Sequence, residues 1–416
     1  MDGNTDRPAV TRMSAAIMTH PTRIEQAARL ATKHPALNFS IACDPEPGQP
    51  RGSLRTSRLA WSQVAAHATH HLVIQDDVLL HPDFDPVLEA AVSAMPDRAI
   101  AFFSEWGSQT SYAIRLGALA GAGWVEAVDW YVPSLALVLP ADAAREFDSF
   151  AENHRFRSKI EDDDLLYEFL RELGIQTVIP VPNWAEHADG PSLAGNDSHG
   201  LRKATVFLPE VGLARNPEIL CAPKFIPSFS WVGGFPYAIG KPGNPHDRWS
   251  RIPIEELLLE HGLDSARTNE ILREAGRPLP NEADGPGPDA RRIDSMALCA
   301  IALGASAAYL DLDIHAALRS PVAQGALATM VPGGLRRHLP ARNLPTVTQS
   351  LSTVIPRCVA LGYLSSRSPE LTVTSLPGLA GSATTAAQIF RKSTATCPAP
   401  TWARLVPRGR RCGRRR

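Results

Sequence analysis

The most constraining stretch of this chain is Leu72-Val73-Ile74-Gln75-Asp76-Asp77. Three apolar residues, two of them β-branched, read as a buried strand. No turn separates that strand from the two acids after it. The chain therefore leaves a sheet and at once presents two adjacent carboxylates. In an open α/β sheet, ligands gather outside the carboxyl ends of the strands. Paired carboxylates repel unless a proton or a cation stands between them. A hard divalent ion held by oxygen ligands, itself gripping a diphosphate, relieves that repulsion.

The segments around this strand repeat the pattern. Residues 14–18 form an apolar run that ends in Thr19-His20-Pro21, and residues 23–32 carry helical spacing. Residues 38–42 read as a second strand, ending in Cys43-Asp44. Strand, helix and strand within about thirty residues make a βαβ unit. A helix over 57–68 leads back to the organising strand. Residues 99–103 form another short strand, and 117–123 read as a flexible loop of small residues. A strand over 134–139 is followed by a helix start at Pro140-Ala141-Asp142. Glu161-Asp162-Asp163-Asp164 then precede an apolar run of helical period that Gly174 stops. Acids suit a helix N-terminus, but that explains one or two of the four more easily than all of them. A last strand over 177–181 leads to Asn183-Trp184-Ala185-Glu186-His187.

Past residue 205 the character changes. Residues 220–250 are rich in Pro, Gly and aromatics and read either as an irregular cap over a cleft or as a loop packed on the first domain. One or two helices follow over 252–273, and 281–290 are a linker by composition. Residues 291–364 read as Ala/Leu-rich helix with breaks at Pro321, Gly333 and Pro345. From residue 365 the composition is that of a disordered tail, basic at its end. The expected division is thus 10–205, 206–280, 291–364 and 365–416.

Charge and cysteine usage exclude several function classes. The formal charge is −1, yet seven arginines and no acid follow Trp402; without them the rest carries −8. A mildly acidic body offers no general surface for nucleic acid. None of the six cysteines lies within metal-ligand spacing of another, so neither a zinc site nor a disulfide framework is indicated. Reduced thiols and a start without signal-peptide character make a cytoplasmic protein the simplest expectation. The longest apolar run, 296–310, falls short of the ~20 residues that span a bilayer and reads as a buried helix.

Asp44, Gln75-Asp76-Asp77, Glu161-Asp162-Asp163 and His187, in that order, resemble the GT-A class of nucleotide-sugar glycosyltransferases. The resemblance covers roughly residues 12–205. It implies a Rossmann-like α/β domain for nucleotide-diphosphate sugars, to which the composition adds a mainly helical C-terminal region. It also implies a hexosyl- or related transferase moving a sugar from the nucleotide to an acceptor hydroxyl. In that class an acidic motif after a central strand binds the metal that bridges the diphosphate. Here Gln stands where the usual Asp-X-Asp begins, which leaves Asp77 as the ligand of Mn²⁺ or Mg²⁺ and Gln75 and Asp76 beside the donor. His187 resembles the further metal ligand. Asp162, and after it Asp163, resemble the catalytic base of inverting members. Asp44 resembles the acid at the nucleotide base or ribose.

Other residues read less specifically. Arg58 and Arg55 are candidates for the diphosphate, by the bidentate fork of a guanidinium. Trp106, Trp124 and Trp130 flank the expected acceptor cleft. His70 and His71 point to opposite faces of a strand, so both cannot ligate one ion, and His81 is not expected to be a ligand. Two other classes remain open: a nucleotidyltransferase, for which Thr19-His20-Pro21-Thr22-Arg23 is a poor phosphate loop, and a binding protein that keeps the fold without catalysis.

Overall fold

The computed structural model describes residues 11–49, 52–155, 160–188, 190–193, 195–209, 218–220, 223–243, 247–276 and 290–367. The strands are β1 (Met13–Thr19), β2 (Ser40–Cys43), β3 (His70–Gln75), β4 (Val78–Leu80), β5 (Ala99–Ala101), β6 (Trp124–Glu126), β7 (Ala136–Pro140), β8 (Thr177–Pro180), β9 (Ala185–His187), β10 (Ile219–Leu220), β11 (Phe225–Ser230), β12 (Phe235–Gly240) and β13 (Ser250–Ile252). Eight of them form one mixed sheet in the order β10-β6-β8-β5-β7-β3-β1-β2.

β1 runs parallel to both β2 and β3, while β7 lies antiparallel between β3 and β5. β1, β2, β3 and β5 therefore all point the same way. Their carboxyl ends, near residues 19, 43, 75 and 101, line one edge of the sheet. Period-2 alternation splits β3 cleanly: Leu72 and Ile74 belong to one core cluster and Val73 to the other. His70 and His71 divide in the same way. The His70 ring meets Pro96 O at 2.8 Å and the His71 ring meets Ala60 O at 3.0 Å.

Helices cover both faces. α1 (Ile24–Lys33) and α3 (Phe84–Ala94) bury Ala27, Leu30, Val87, Leu88 and Val92 against one face. α2 (Leu54–Ser62), α4 (Thr110–Ala120), α5 (Ala141–Asn153) and α6 (Asp162–Glu172) cover the other with Trp61, Ile114, Phe147 and Phe169. α6 ends where Gly174 takes φ +69°, the left-handed conformation its sequence predicts.

Residues 117–120 of the expected loop over 117–123 are instead the end of α4, and Gly121 caps it. Residues Thr110 to Leu119 are all buried, because this helix lies between the sheet and the helical second half. Gly117 is small for packing rather than flexibility: a Cβ there would meet Val125 Cγ1 at 2.7 Å.

The second half joins the first through one continuous core. Within 220–250 the expected irregular cap is a three-stranded antiparallel sheet, β11-β12-β13. The main sheet takes its edge strand β10 from beyond residue 205. α7 (Ile254–Glu260) and α8 (Ser265–Glu274) precede α9 (Ala290–Ala307), α10 (Ile314–Arg319), α11 (Pro321–Ala328), α12 (Met330–Leu335), α13 (Leu344–Leu351) and α14 (Val354–Arg367). Gly333 does not break the chain but lies inside α12. The segment Arg291–Leu310 is long and apolar enough to cross a membrane, yet 67% of it is buried in the protein, as a core helix would be. α14 runs three residues past the expected start of the tail at 365. The linker at 281–290, all but its last residue, and the tail from 368 onward lie outside the described residues.

Candidate active-site cleft

A cleft of about 1100 Å³ opens along the carboxyl edge of the sheet. It collects Asp44, Gln75, Asp76, Asp77, Asp162, Asp163 and His187, seven of the eight expected site residues. Arg58 is the exception. Its guanidinium is bound 2.7 Å from Asp148 and 2.7 Å from Glu152, both on α5. α2 runs away from the sheet edge, so a residue one turn further on lies ~4.5 Å beyond reach. Arg55 takes the position at the cleft. Its Nε and Nη2 donate to Asp44 at 3.2 and 2.8 Å, and Glu46 N–H adds a bond at 3.0 Å. Burial raises the Asp44 pKa, but these donors outweigh it and hold the carboxyl below its ordinary value.

Asp76 and Asp77 follow β3 directly and have different surroundings. Asp76 turns toward the end of β1, where Thr19 Oγ1 donates at 2.7 Å and Arg23 Nη1 at 3.0 Å. Burial pushes its pKa up despite those partners. Asp77 faces the ribbon formed by β4 and β9, which pair Val78 with His187. That pairing brings His187 Nε2 to 3.6 Å from Asp77 Oδ2. Asp77 Oδ1 is buried and has no hydrogen-bond partner among the described residues. Burial lowers the His187 pKa, with the Asp77 charge opposing, so the imidazole is held toward its neutral form.

These groups suit a hard divalent ion in part. A carboxylate with one open oxygen and a neutral imidazole stand within reach of one cation, and phosphate and water oxygens would complete its shell. No set of three His, Cys, Asp or Glu able to hold a metal occurs among the described residues. Two arginines also occupy these same atoms. Arg23 Nη1 lies 3.3 Å from Asp77 Oδ2, and Arg202 Nη2 lies 2.8 Å from His187 Nε2.

Across the cleft, the acids at the start of α6 divide their roles. Asp162 is buried at 4% exposure, and one of its oxygens accepts from Ser53 Oγ. Asp163 lines the cleft and is half-buried. Its Oδ1 accepts from Asp164 N–H at 2.9 Å. Burial, then the charges of Asp162 and Asp164, lift its pKa to about 7.

Two further acids line the cleft. Asp129 accepts from the backbone N–H groups of Gln109 and Thr110 at 2.7 and 3.2 Å, at the start of α4. Burial lifts its pKa to about 6. Glu105 pairs with Arg336, whose side chain is wholly buried and whose guanidinium carbon lies 4.3 Å from the centre of the Trp231 ring. An arginine 231 residues away in sequence thus holds Glu105 from behind the cleft wall.

Of the three expected acceptor-side tryptophans, Trp130 lines the cleft at 37% exposure. Trp106 and Trp124 are core residues at 1% and 8%. Trp106 is covered by α12, where a Cβ on Gly333 would come within 2.5 Å of its carbonyl oxygen. Trp231 and Tyr237 are among the further aromatic residues that line it.

Nine carboxylates and four arginines line the cleft among the described residues. A diphosphate entering it would meet net repulsion unless a further cation came with it. No family model and no curated protein matches this chain.

Proposed function

We propose that this chain is a metal-dependent glycosyltransferase that moves a sugar from a nucleoside-diphosphate donor to an acceptor hydroxyl, with inversion. The observation that carries the reading is the convergence of Asp77, His187 and the raised-pKa carboxyl of Asp163 on one cleft at the carboxyl edge of the sheet. Asp77 and His187 would hold Mn²⁺ or Mg²⁺. Such a cation supplies charge stabilisation for the departing diphosphate. Gln75 and Asp44 border the donor side of the same cleft.

Asp163 is the base in this reading, in preference to Asp162. A general base must reach the proton it takes. Both acids border the cleft, but Asp162 is buried and accepts from Ser53 through one oxygen, whereas Asp163 is half-buried. A carboxyl that titrates near neutrality is also matched to proton transfer at physiological pH. Trp130, Trp231 and Tyr237 would present ring faces to the acceptor, as aromatic side chains do against the apolar faces of sugars.

The test is a panel of nucleotide sugars followed by thermal unfolding, with and without Mn²⁺. At least one donor should raise the melting temperature, and only with the metal present. Metal-independent stabilisation without turnover would instead favour a binding protein, and no stabilisation by any donor would end the proposal.

A further inference from the structure

The Asp77 carboxylate, through Oδ2, and the His187 Nε2 atom are already hydrogen-bonded to arginine, while Asp77 Oδ1 stays open. Arg23 bridges Asp76 and Asp77 through Nη1, at 3.0 and 3.3 Å. Its Nη2 donates to Pro191 O, in the segment after β9. Arg202 donates to His187 Nε2 at 2.8 Å. Neither contact is incidental to a surface: Arg23 and Asp77 are each 17% exposed and His187 is 9%. A divalent ion at His187 Nε2 would need the one lone pair that Arg202 engages, and at Asp77 it would share the carboxylate with Arg23. It would also sit a few ångströms from two positive charges. The guanidinium groups and the cation therefore compete for the site.

We infer that Arg23 and Arg202 are built-in competitors for the cation at Asp77 and His187, and that once displaced their forks bind the donor's diphosphate. This rests on the glycosyltransferase reading and deepens it. The two arginines balance the buried Asp77 carboxylate while no cation is bound, so the site need not carry an unpaired charge. The incoming cation and the diphosphate arrive with opposite charge. Exchange lets each charged group find a partner: carboxylate and imidazole on the metal, guanidinium forks on phosphate oxygens. The site then binds metal weakly alone and firmly with diphosphate.

The inference is tested without turnover. Free Mn²⁺ is followed by its electron paramagnetic resonance signal, with the full chain and no nucleotide. Arg23→Gln and Arg202→Gln should each bind Mn²⁺ on the order of tenfold more tightly than the natural chain, since each removes a competing positive charge. With Mn²⁺ saturating, the same variants should bind inorganic pyrophosphate more weakly. Arg23→Lys keeps the charge without the fork. It should restore weak Mn²⁺ binding but not pyrophosphate binding, and it serves if the glutamine variant fails to fold. Unchanged or weaker Mn²⁺ binding by folded Arg23→Gln would overturn the inference. Asp77→Asn separates the two ideas: if it binds Mn²⁺ as well as the natural chain, the metal site itself is wrong.

Discussion

Asp163 offers the sharpest test, because one substitution has opposite expected effects on stability and on activity. Its carboxyl is lifted from the ordinary 3.8 to about 7 by burial and by the neighbouring charges of Asp162, Asp164 and Glu161. The Tyr131 ring adds a nearby titratable group. The sign follows from proton linkage. Between pH 4 and 7 the folded protein keeps a proton that the unfolded chain has released, so stability falls as pH rises. Above pH 7 the full cost of holding Asp163 ionised remains. A rise of about three units corresponds to roughly 4 kcal/mol if it belonged to Asp163 alone. The neighbouring carboxyls titrate together with it, and cleft water screens it, so about 1–3 kcal/mol is expected. Asp163→Asn removes that cost and keeps the acceptor for Asp164 N–H. Urea unfolding should show the variant more stable than the natural chain at pH 8, with the gap shrinking toward pH 5. Turnover should fall by roughly two to four orders of magnitude. Asp162→Asn, whose carboxyl is committed to Ser53, should stay within about tenfold of natural turnover. A variant no more stable at pH 8, or a gap independent of pH, would refute the electrostatic argument. Loss of turnover in Asp162→Asn alone would return the base to that residue.

Three further perturbations probe the frame around the cleft. Arg336→Ala leaves Glu105 partly buried without its guanidinium and should cost about 3–5 kcal/mol in urea unfolding; a loss under 1 kcal/mol would mean that water replaces the arginine. At the crossing of α9 and α14, a Cβ on Gly304 would lie 2.0 Å from Val359 O and one on Gly362 would lie 2.2 Å from Ile301 O. Gly362→Ala should therefore destabilise by about 1–3 kcal/mol or more, and an unchanged melting temperature would show that the two helices can separate freely. Trp231→Ala should raise the acceptor KM and leave donor binding intact, whereas equal loss of both would mark the ring as a support for Arg336.

Much of the frame is written in local pattern. The continuous apolar run of Leu72, Val73 and Ile74 predicts a buried strand. Gly174 predicts the end of α6, and the apolar run at 296–310 predicts a buried helix. Each is a property of a few neighbouring residues, because side-chain period and backbone propensity act over one or two turns. Acids at the ends of strands are legible for the same reason: parallel neighbours place those ends on one edge whatever the loops do.

What only the tertiary structure decides is which distant groups meet. His187 reaches Asp77 because β9 pairs with β4, a choice made by two three-residue strands too short to announce a partner. Arg55 rather than Arg58 faces the cleft because of where α2 points. Gly117 belongs to a buried helix because the second half of the chain covers α4, which no window of local sequence contains. Arg23, Arg202 and Arg336 find their carboxylates and imidazole from three separate segments. A guanidinium on a flexible stem leaves no periodic trace in sequence; its partner is set by the closure of the fold and by the cost of burying a charge alone.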